Sequence, residues 1–361
     1  MVLEIATAAD VEALRAEMRA GLDGQAVRTD ALAGRVGALE TAAGQLPAPP
    51  DPDPTHTPTG RIIRVGTALM LDGRRYRAAG MNWDQAVGCG LAGSQPTQAQ
   101  AERYFGELNP SSMTRVWAFP GMPNFGSGTD YTKYNWRRYD MLVEAAAKYG
   151  QHLCVTLLNG PADCTSRRAP YETPVAPDVA AWVRAVVSRH RGNPAVAVVE
   201  PVNEGSEGHV NFAAWIQAMA ALVKSVDAGV LVGTGGGNNS NDAAKIAAFA
   251  AGPDIDLISY HDYYPGWQDP APRAGVFERA ADIARKPWYF GEVGGCCGGW
   301  DGGSHEENGR RLTAVYRTHL AMERCGMVLG WDFKLVQPER TTANFGNALW
   351  RAACEYRVSV A

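Results

Sequence analysis

The sequence predicts an α/β chain: a (β/α)8 barrel preceded by an N-terminal coiled-coil helix and a Pro-rich linker. Three observations predict it. From residue 61 onward, short apolar runs of strand length alternate with helix-period segments. Nearly every run ends in a polar or aromatic residue, at the end of the strand where barrel folds collect their chemistry. Before all of this, a heptad pattern is cut off by a proline-rich stretch.

Residues 1–45 form the first unit. Val11, Leu14, Met18, Leu22, Gln25, Thr29, Leu32, Val36 and Leu39 recur at spacings of three and four, a heptad seam with one extra four-residue step between Met18 and Leu22 that locally unwinds a supercoil. A helix with so narrow a stripe needs partners. Gln25 and Thr29 are polar layers that fix register, while Gly21, Gly24, Gly34 and Gly37 weaken the helix. Arg35-Val36-Gly37-Ala38-Leu39-Glu40 resembles a trimerisation motif of parallel coiled coils, in which the Arg stem covers an apolar layer and its head pairs with the Glu of a neighbouring chain. That resemblance implies a homotrimer through residues 11–40. Residues 46–60 alternate Pro with Asp and form an extended, semi-rigid spacer. His56 is a solvated residue of that linker, and residues 61–361 are the barrel domain.

With 361 residues, 46% of them hydrophobic, the chain can bury a large core. No apolar run reaches the length of a membrane span, so membrane insertion is not expected, and no signal-peptide pattern opens the chain. The formal net charge of −4 is uneven: residues 1–60 hold nine acidic and four basic side chains. No basic patch exists to suggest nucleic-acid binding, and the excess of Arg over Lys fits a GC-rich genome better than a binding surface. Seven cysteines do not suggest a secreted disulfide framework. Cys154, Cys325 and Cys354 read as small core residues. Cys89, Cys164, Cys296 and Cys297 fall in loops, where a loop-to-loop disulfide is open but zinc spacing is missing.

The predicted strands are 76–82, 113–118, 152–158, 195–199, 230–233, 256–260, 287–291 and 327–331, with helices between them such as 136–149, 180–191, 212–226 and 310–324. Two earlier runs, 62–65 and 69–71, closed by Asp72-Gly73, read as a hairpin capping the barrel floor. A Rossmann fold is the alternative. However, no GxGxxG follows the first strand, and Gly233-Thr234-Gly235-Gly236-Gly237 lacks the Lys-Ser/Thr of a phosphate loop, so it reads as a sharp turn.

Two runs end abruptly in carboxylates: Val198-Val199-Glu200-Pro201-Val202-Asn203-Glu204 and Phe290-Gly291-Glu292. Two acids at the ends of two strands suit glycoside hydrolysis, in which one protonates the leaving oxygen and the other attacks or activates water. Asn-Glu after one strand and a second Glu after a later one resembles clan A of the glycoside hydrolases, with family 5 (cellulases and β-mannanases) the nearest likeness over most of residues 61–361. The resemblance implies Glu204 as general acid/base, with a raised pKa, and Glu292 as an ionised nucleophile. It implies Arg115 stabilising that nucleophile, Tyr263 (or Tyr264) orienting it, Asn203 on the sugar 2-hydroxyl, His261 as the strand-six histidine and Trp331 as a stacking floor. Asn82, Trp83, Trp117 and Asn159, with Trp267 and Trp300, are candidates for substrate subsites. Glu200 reads as a supporting or structural carboxylate, and Glu207, Glu306 and Glu307 as solvated. Departures from the family pattern are Gly205 where Pro is usual, Asn159 where some members have His, and a Gly- and Cys-rich loop at 294–304.

The expected function is therefore a retaining, endo-acting glycosidase cutting a β-linked polysaccharide, with no cofactor and no metal. Stalk, linker and missing signal peptide together suggest a phage tail or tail-tip component in the virion. It would contact other tail proteins, reach the outside by lysis and act on a host surface glycan. The alternatives are a glycan-binding receptor-recognition tail module with little or no catalysis, and an intracellular or non-classically exported glycanase with an oligomerising helix. A metal-dependent hydrolase fits less well, since no His-x-His pair follows the first strand.

Overall fold

The computed structural model describes residues 60–89, 95–122, 125–126, 128–161, 169–206, 208–236, 242–263, 271–294, 303–335 and 343–356. The predicted coiled coil and nearly all of the linker lie outside the described residues, as do Cys164, Cys296, Cys297, Tyr264, Trp267 and Trp300.

Three short strands come first: β1 (Ile63–Val65), β2 (Ala68–Leu71) and β3 (Arg74–Tyr76), paired antiparallel in that order. Asp72 and Gly73 sit at φ 50° and 77°, the mirror-image turn that matches hairpin twist. The sequence places this turn at the end of a two-stranded hairpin. The structure adds a third strand, because Arg74-Arg75-Tyr76 doubles back along Leu69–Leu71.

Eight parallel strands follow: β4 (Ala78–Asn82), β5 (Met113–Trp117), β6 (His152–Thr156), β7 (Val196–Glu200), β8 (Leu231–Val232), β9 (Ile258–Asp262), β10 (Trp288–Gly294) and β11 (Cys325–Trp331). They lie side by side in the order β8-β7-β6-β5-β4-β11-β10-β9. A parallel bridge between Gly233 and Leu257 joins the two ends, with Thr234 N donating to Leu257 O at 3.2 Å, and so closes the barrel. All eight predicted runs are strands, with ends shifted by a few residues.

The helices among the described residues are α1 (Gln98–Glu107), α2 (Arg137–Lys148), α3 (Pro177–Arg189), α4 (Phe212–Val226), α5 (Ala243–Phe249), α6 (Ala271–Ala284), α7 (His305–Leu320) and α8 (Ala348–Glu355). None is long and apolar enough to cross a membrane. The helix predicted to begin at Arg310 begins earlier, because Ser304 caps it: its Oγ accepts from Glu307 N, and Glu306 and Glu307 face the positive end of the helix dipole.

Strand alternation sorts the core into two layers. Outward side chains such as Val116, Val155, Val199 and Phe290 pack under the helices with Trp182, Trp215, Trp288 and Trp350. Inward ones, including Met113, Cys154, Leu257, Tyr289 and Met327, form an interior cluster joined from below by Ile62, Leu69 and Tyr76. The small antiparallel sheet thus plugs the floor. Further up, the inward positions become polar. Cys89 is disulfide-bonded, whereas Cys154 and Cys325 are buried thiols.

His152 opens β6 and is almost fully buried, edge-on to Tyr76, with Nδ1 3.2 Å from Pro194 O and no hydrogen-bond partner at Nε2. Burial pushes its imidazole down to about 4. The unfolded imidazole titrates near 6.5, so between those values the unfolded chain binds a proton that the folded chain refuses. Stability is therefore present above roughly pH 6.5 and lost as pH falls toward 4. Replacing His152 by Gln is expected to flatten this decline, with a difference approaching about 3 kcal/mol at the acid end. Urea unfolding at stepped pH checks it; identical pH slopes in the two proteins would contradict it.

Candidate active site

Arg115 lies inward on β5 with no exposed surface, and its guanidinium reaches four partners. Nε donates to Glu200 Oε2 at 2.6 Å; Nη1 donates to Glu292 Oε1 at 2.6 Å and to Asn82 Oδ1 at 3.1 Å; Nη2 donates to Asn203 Oδ1 at 2.8 Å. One cation thereby links β4, β5, β10, the end of β7 and the segment that follows β7. Buried ions persist only when paired and hydrogen-bonded in this way.

Glu292 faces inward because β10 breaks its register after Phe290: Phe290 pairs with Tyr260, but Glu292 pairs with His261. Strict alternation from inward-facing Tyr289 would turn Glu292 toward the helices; the bulge at Gly291 keeps it on the barrel side. Tyr263 OH donates to Glu292 Oε2, while Arg115 holds Oε1.

Glu204 stands beyond β7 at φ 47°, a left-handed conformation that non-glycine residues adopt at a cost. Its N–H donates to Gly235 O at 3.1 Å. The glycine run seen in the sequence is more than a turn. A Cβ on Gly235 would come within 1.7 Å of Val202 O, and one on Gly236 within 2.4 Å of the His261 ring. Those two positions let the chain close against both Glu204 and His261. His261 Nδ1 lies 3.0 Å from Glu204 Oε1 and 3.4 Å from Glu292 Oε2, so the imidazole bridges the two acids.

The electrostatics depart from the sequence expectation. The hydrogen bond from His261 holds the Glu204 carboxyl below its ordinary range, although burial opposes it. Burial pushes Glu292 above its ordinary range, against His261 and Arg115, which favour its charge. The expected order of the two acids is thus inverted in the resting protein, because a histidine that position alone could not aim donates to the more open acid. Ligand atoms of Glu204, His261 and Glu292 all lie within 4.8 Å of one another, and among the described residues this is the group spaced to hold a metal ion. Its donors are already committed: a guanidinium and a phenol occupy the two oxygens of Glu292. The donor set suits the handling of a proton.

The other predicted residues divide. Trp331 ends β11 half-buried at the mouth, its ring 5.4 Å from Trp117 and 6.5 Å from Tyr263. Trp117 is nearly buried and stacks on Phe119. Three candidate subsite residues lie beneath the open surface. Trp83 is fully buried, stacked on Tyr104 and edge-on to Phe333, so it is core. Asn82 is committed to Arg115, Gly291 O and Gly330 O. Asn159 is buried and accepts from Asn203 Nδ2 at 2.9 Å, so it aims Asn203. Position at a strand end does not reveal how far a side chain is covered.

Sequence reasoning missed Asp84 and Asp332, which follow neighbouring strands β4 and β11. Both are buried and close enough to feel each other's charge, with Lys334 Nζ 3.4 Å from Asp332 Oδ2, and burial raises both, Asp332 to about 6. It also missed Thr156, Ser259 and Tyr289, which surround Glu200. Their inward register on β6, β9 and β10 is the signal that could have found them.

No family model matches the chain. It is similar to a probable mannan endo-1,4-β-mannosidase C of Aspergillus terreus, 25% identical over 303 residues, covering 66% of this chain and 74% of the relative. A probable mannan endo-1,4-β-mannosidase F of Aspergillus oryzae is 28% identical over 255 residues, covering 55% and 54%. The chain thus spans roughly half to three quarters of the length of these relatives. Among solved structures, the fold is shared with an endo-1,4-β-mannanase from Rhizomucor miehei (TM-score 0.61, 17% identity, 82% of this chain and 97% of that one). A glycoside hydrolase family 5 mannosidase from the same organism aligns with a TM-score of 0.64 at 13% identity, over 83% and 96%. These relatives correct the expected location: the sequences matched are fungal endo-mannosidases, so placement in a virion tail does not hold. By its sequence relatives the chain is a glycosidase, resembling the mannanases of glycoside hydrolase family 5.

Proposed function

We propose that the protein is a retaining, endo-acting β-mannanase in which Glu292 is the nucleophile and Glu204 the general acid/base. One observation carries this reading. Two carboxylates with oxygens within 4.8 Å face each other, one buried and clamped by Arg115 and Tyr263, the other about one-third exposed. A nucleophile must be held still; an acid/base must reach a leaving oxygen and later a water. The spacing supports retention, for which carboxyls stand about 5–5.5 Å apart, over inversion, which needs roughly 6.5–9.5 Å.

In the first step Glu204, protonated, gives its proton to the glycosidic oxygen as the bond to C1 breaks, and Glu292 forms an ester with C1. In the second, Glu204 takes a proton from water, the oxygen of that water bonds to C1, and Glu292 leaves as carboxylate. A glycan entering the cleft displaces water from Glu204 and raises its proton affinity, which offsets the pull of His261. Asn203 Nδ2 keeps one hydrogen beyond its bond to Asn159, suited to a sugar 2-hydroxyl. Trp331 offers a ring face to a pyranose. The Aspergillus relatives support a β-1,4-mannan backbone as substrate.

We further infer, from the heptad seam, that residues 1–45 oligomerise, as a trimer through residues 11–40, and that 46–60 space them from the barrel.

Against a panel of β-mannans, β-glucans and bacterial surface polysaccharides, the protein is expected to release reducing ends from mannan. Glu292→Gln falls to background, and Glu204→Gln loses about 10²–10⁴-fold. Proton NMR of the first product shows the β anomer ahead of mutarotation. Full activity in Glu292→Gln, or the α anomer first, contradicts the mechanism; binding without cleavage favours a glycan-recognition role. Sedimentation of the full chain is expected to give three times the chain mass, and of residues 61–361 one; a monomeric full chain contradicts the stalk.

A further inference from the structure

Glu200 has no exposed surface, and its hydrogen bonding is saturated. Oε2 accepts from Arg115 Nε at 2.6 Å and from Thr156 Oγ1 at 2.7 Å; Oε1 accepts from Ser259 Oγ at 3.2 Å and from Tyr289 OH. One cation and three neutral donors hold it on the edge of the guanidinium next to the one that grips Glu292. We infer that Glu200 is a positioning residue for the nucleophile, fixing the plane and the charge balance of Arg115 and through it the basicity of Glu292. The inference rests on the reading of Glu292 as nucleophile.

The physical argument follows the charge through the reaction. With Glu292 as its sole carboxylate partner, a buried guanidinium would hold Glu292 deeply ionised and so weaken it as a base toward carbon. It would then be left as an uncompensated buried cation once Glu292 became a neutral ester, and that cost is large. Glu200 removes both problems. The trio of Arg115, Glu200 and Glu292 is net negative while Glu292 is free, and an Arg115–Glu200 pair remains when Glu292 is esterified. Burial works against the charge of Glu200, but Arg115, helped by the hydrogen bonds from Tyr289 and Thr156, outweighs it and holds the carboxyl below its ordinary range.

The test compares Glu200→Gln with the parent protein. On mannan, kcat is expected to fall, up to about a hundredfold for a mispositioned reacting group, with KM little changed. The acidic limb of the kcat profile, set by Glu292 in the glycan-bound protein, moves down by roughly one pH unit, because Arg115 then acts on Glu292 alone. Tyr289→Phe, which keeps every charge, lowers kcat less and leaves that limb in place. A folded Glu200→Gln with unchanged kcat and unchanged limb overturns the inference. If Glu200→Gln does not fold, an unchanged kcat in Tyr289→Phe overturns it instead. Carbon-13 NMR titration of the Glu292 carboxyl gives a readout independent of turnover. A lower titration point in Glu200→Gln supports the coupling, and an unmoved one refutes it, even if the parent cleaves no glycan and the mannanase reading itself fails.

Discussion

A buried guanidinium governs this site. Arg115 sits in the barrel interior with no exposed surface, where an unpaired cation would be strongly destabilising. Asn82, Glu200, Asn203 and Glu292 answer that demand from β4, the end of β7, the segment beyond it and β10. Because these acceptors come from separate strands, the cation can be satisfied only when the barrel is closed and in register. Fold and chemistry are therefore the same constraint seen from two sides.

Around that fixed centre the backbone is bent to aim the acids. A bulge turns Glu292 inward, and Glu204 occupies a left-handed conformation beside two glycines that leave room for Val202 and His261. Such departures from regular geometry cost stability, and the surrounding bonds hold them in place. The result separates two like groups by environment: one clamped and buried, one open to solvent and tied to a histidine. His261 lies between the two, with Nδ1 3.0 Å from Glu204 Oε1 and 3.4 Å from Glu292 Oε2.

Much of this was legible in the sequence, and the reasons are physical. Strand runs announce themselves through β-branched and apolar clustering, so all eight barrel strands could be read. Residues at their ends pointed to Arg115, Asn203, Glu204, His261, Tyr263 and Glu292, which the structure brings together. What could not be read was depth and direction. Trp83 and Asn82 stand at the same strand end, yet one packs under helices and the other bonds the guanidinium. The contact between Asp84 and Asp332 joins strands at opposite ends of the chain, neighbours only after closure. The order of the two acid strengths depended on a hydrogen bond from β9 to the loop after β7, which spacing along the chain does not encode.

The central claim is that Glu292 bonds covalently to the sugar while Arg115 keeps its charge on Glu200. The most direct measurement is intact-protein and peptide mass spectrometry after incubation with a slow-turnover 2-deoxy-2-fluoro-mannosyl fluoride. A single glycosyl adduct on the peptide carrying Glu292, absent in Glu292→Gln, is the result predicted. An adduct on Glu204, or hydrolysis with no adduct and an inverted product, would contradict the account.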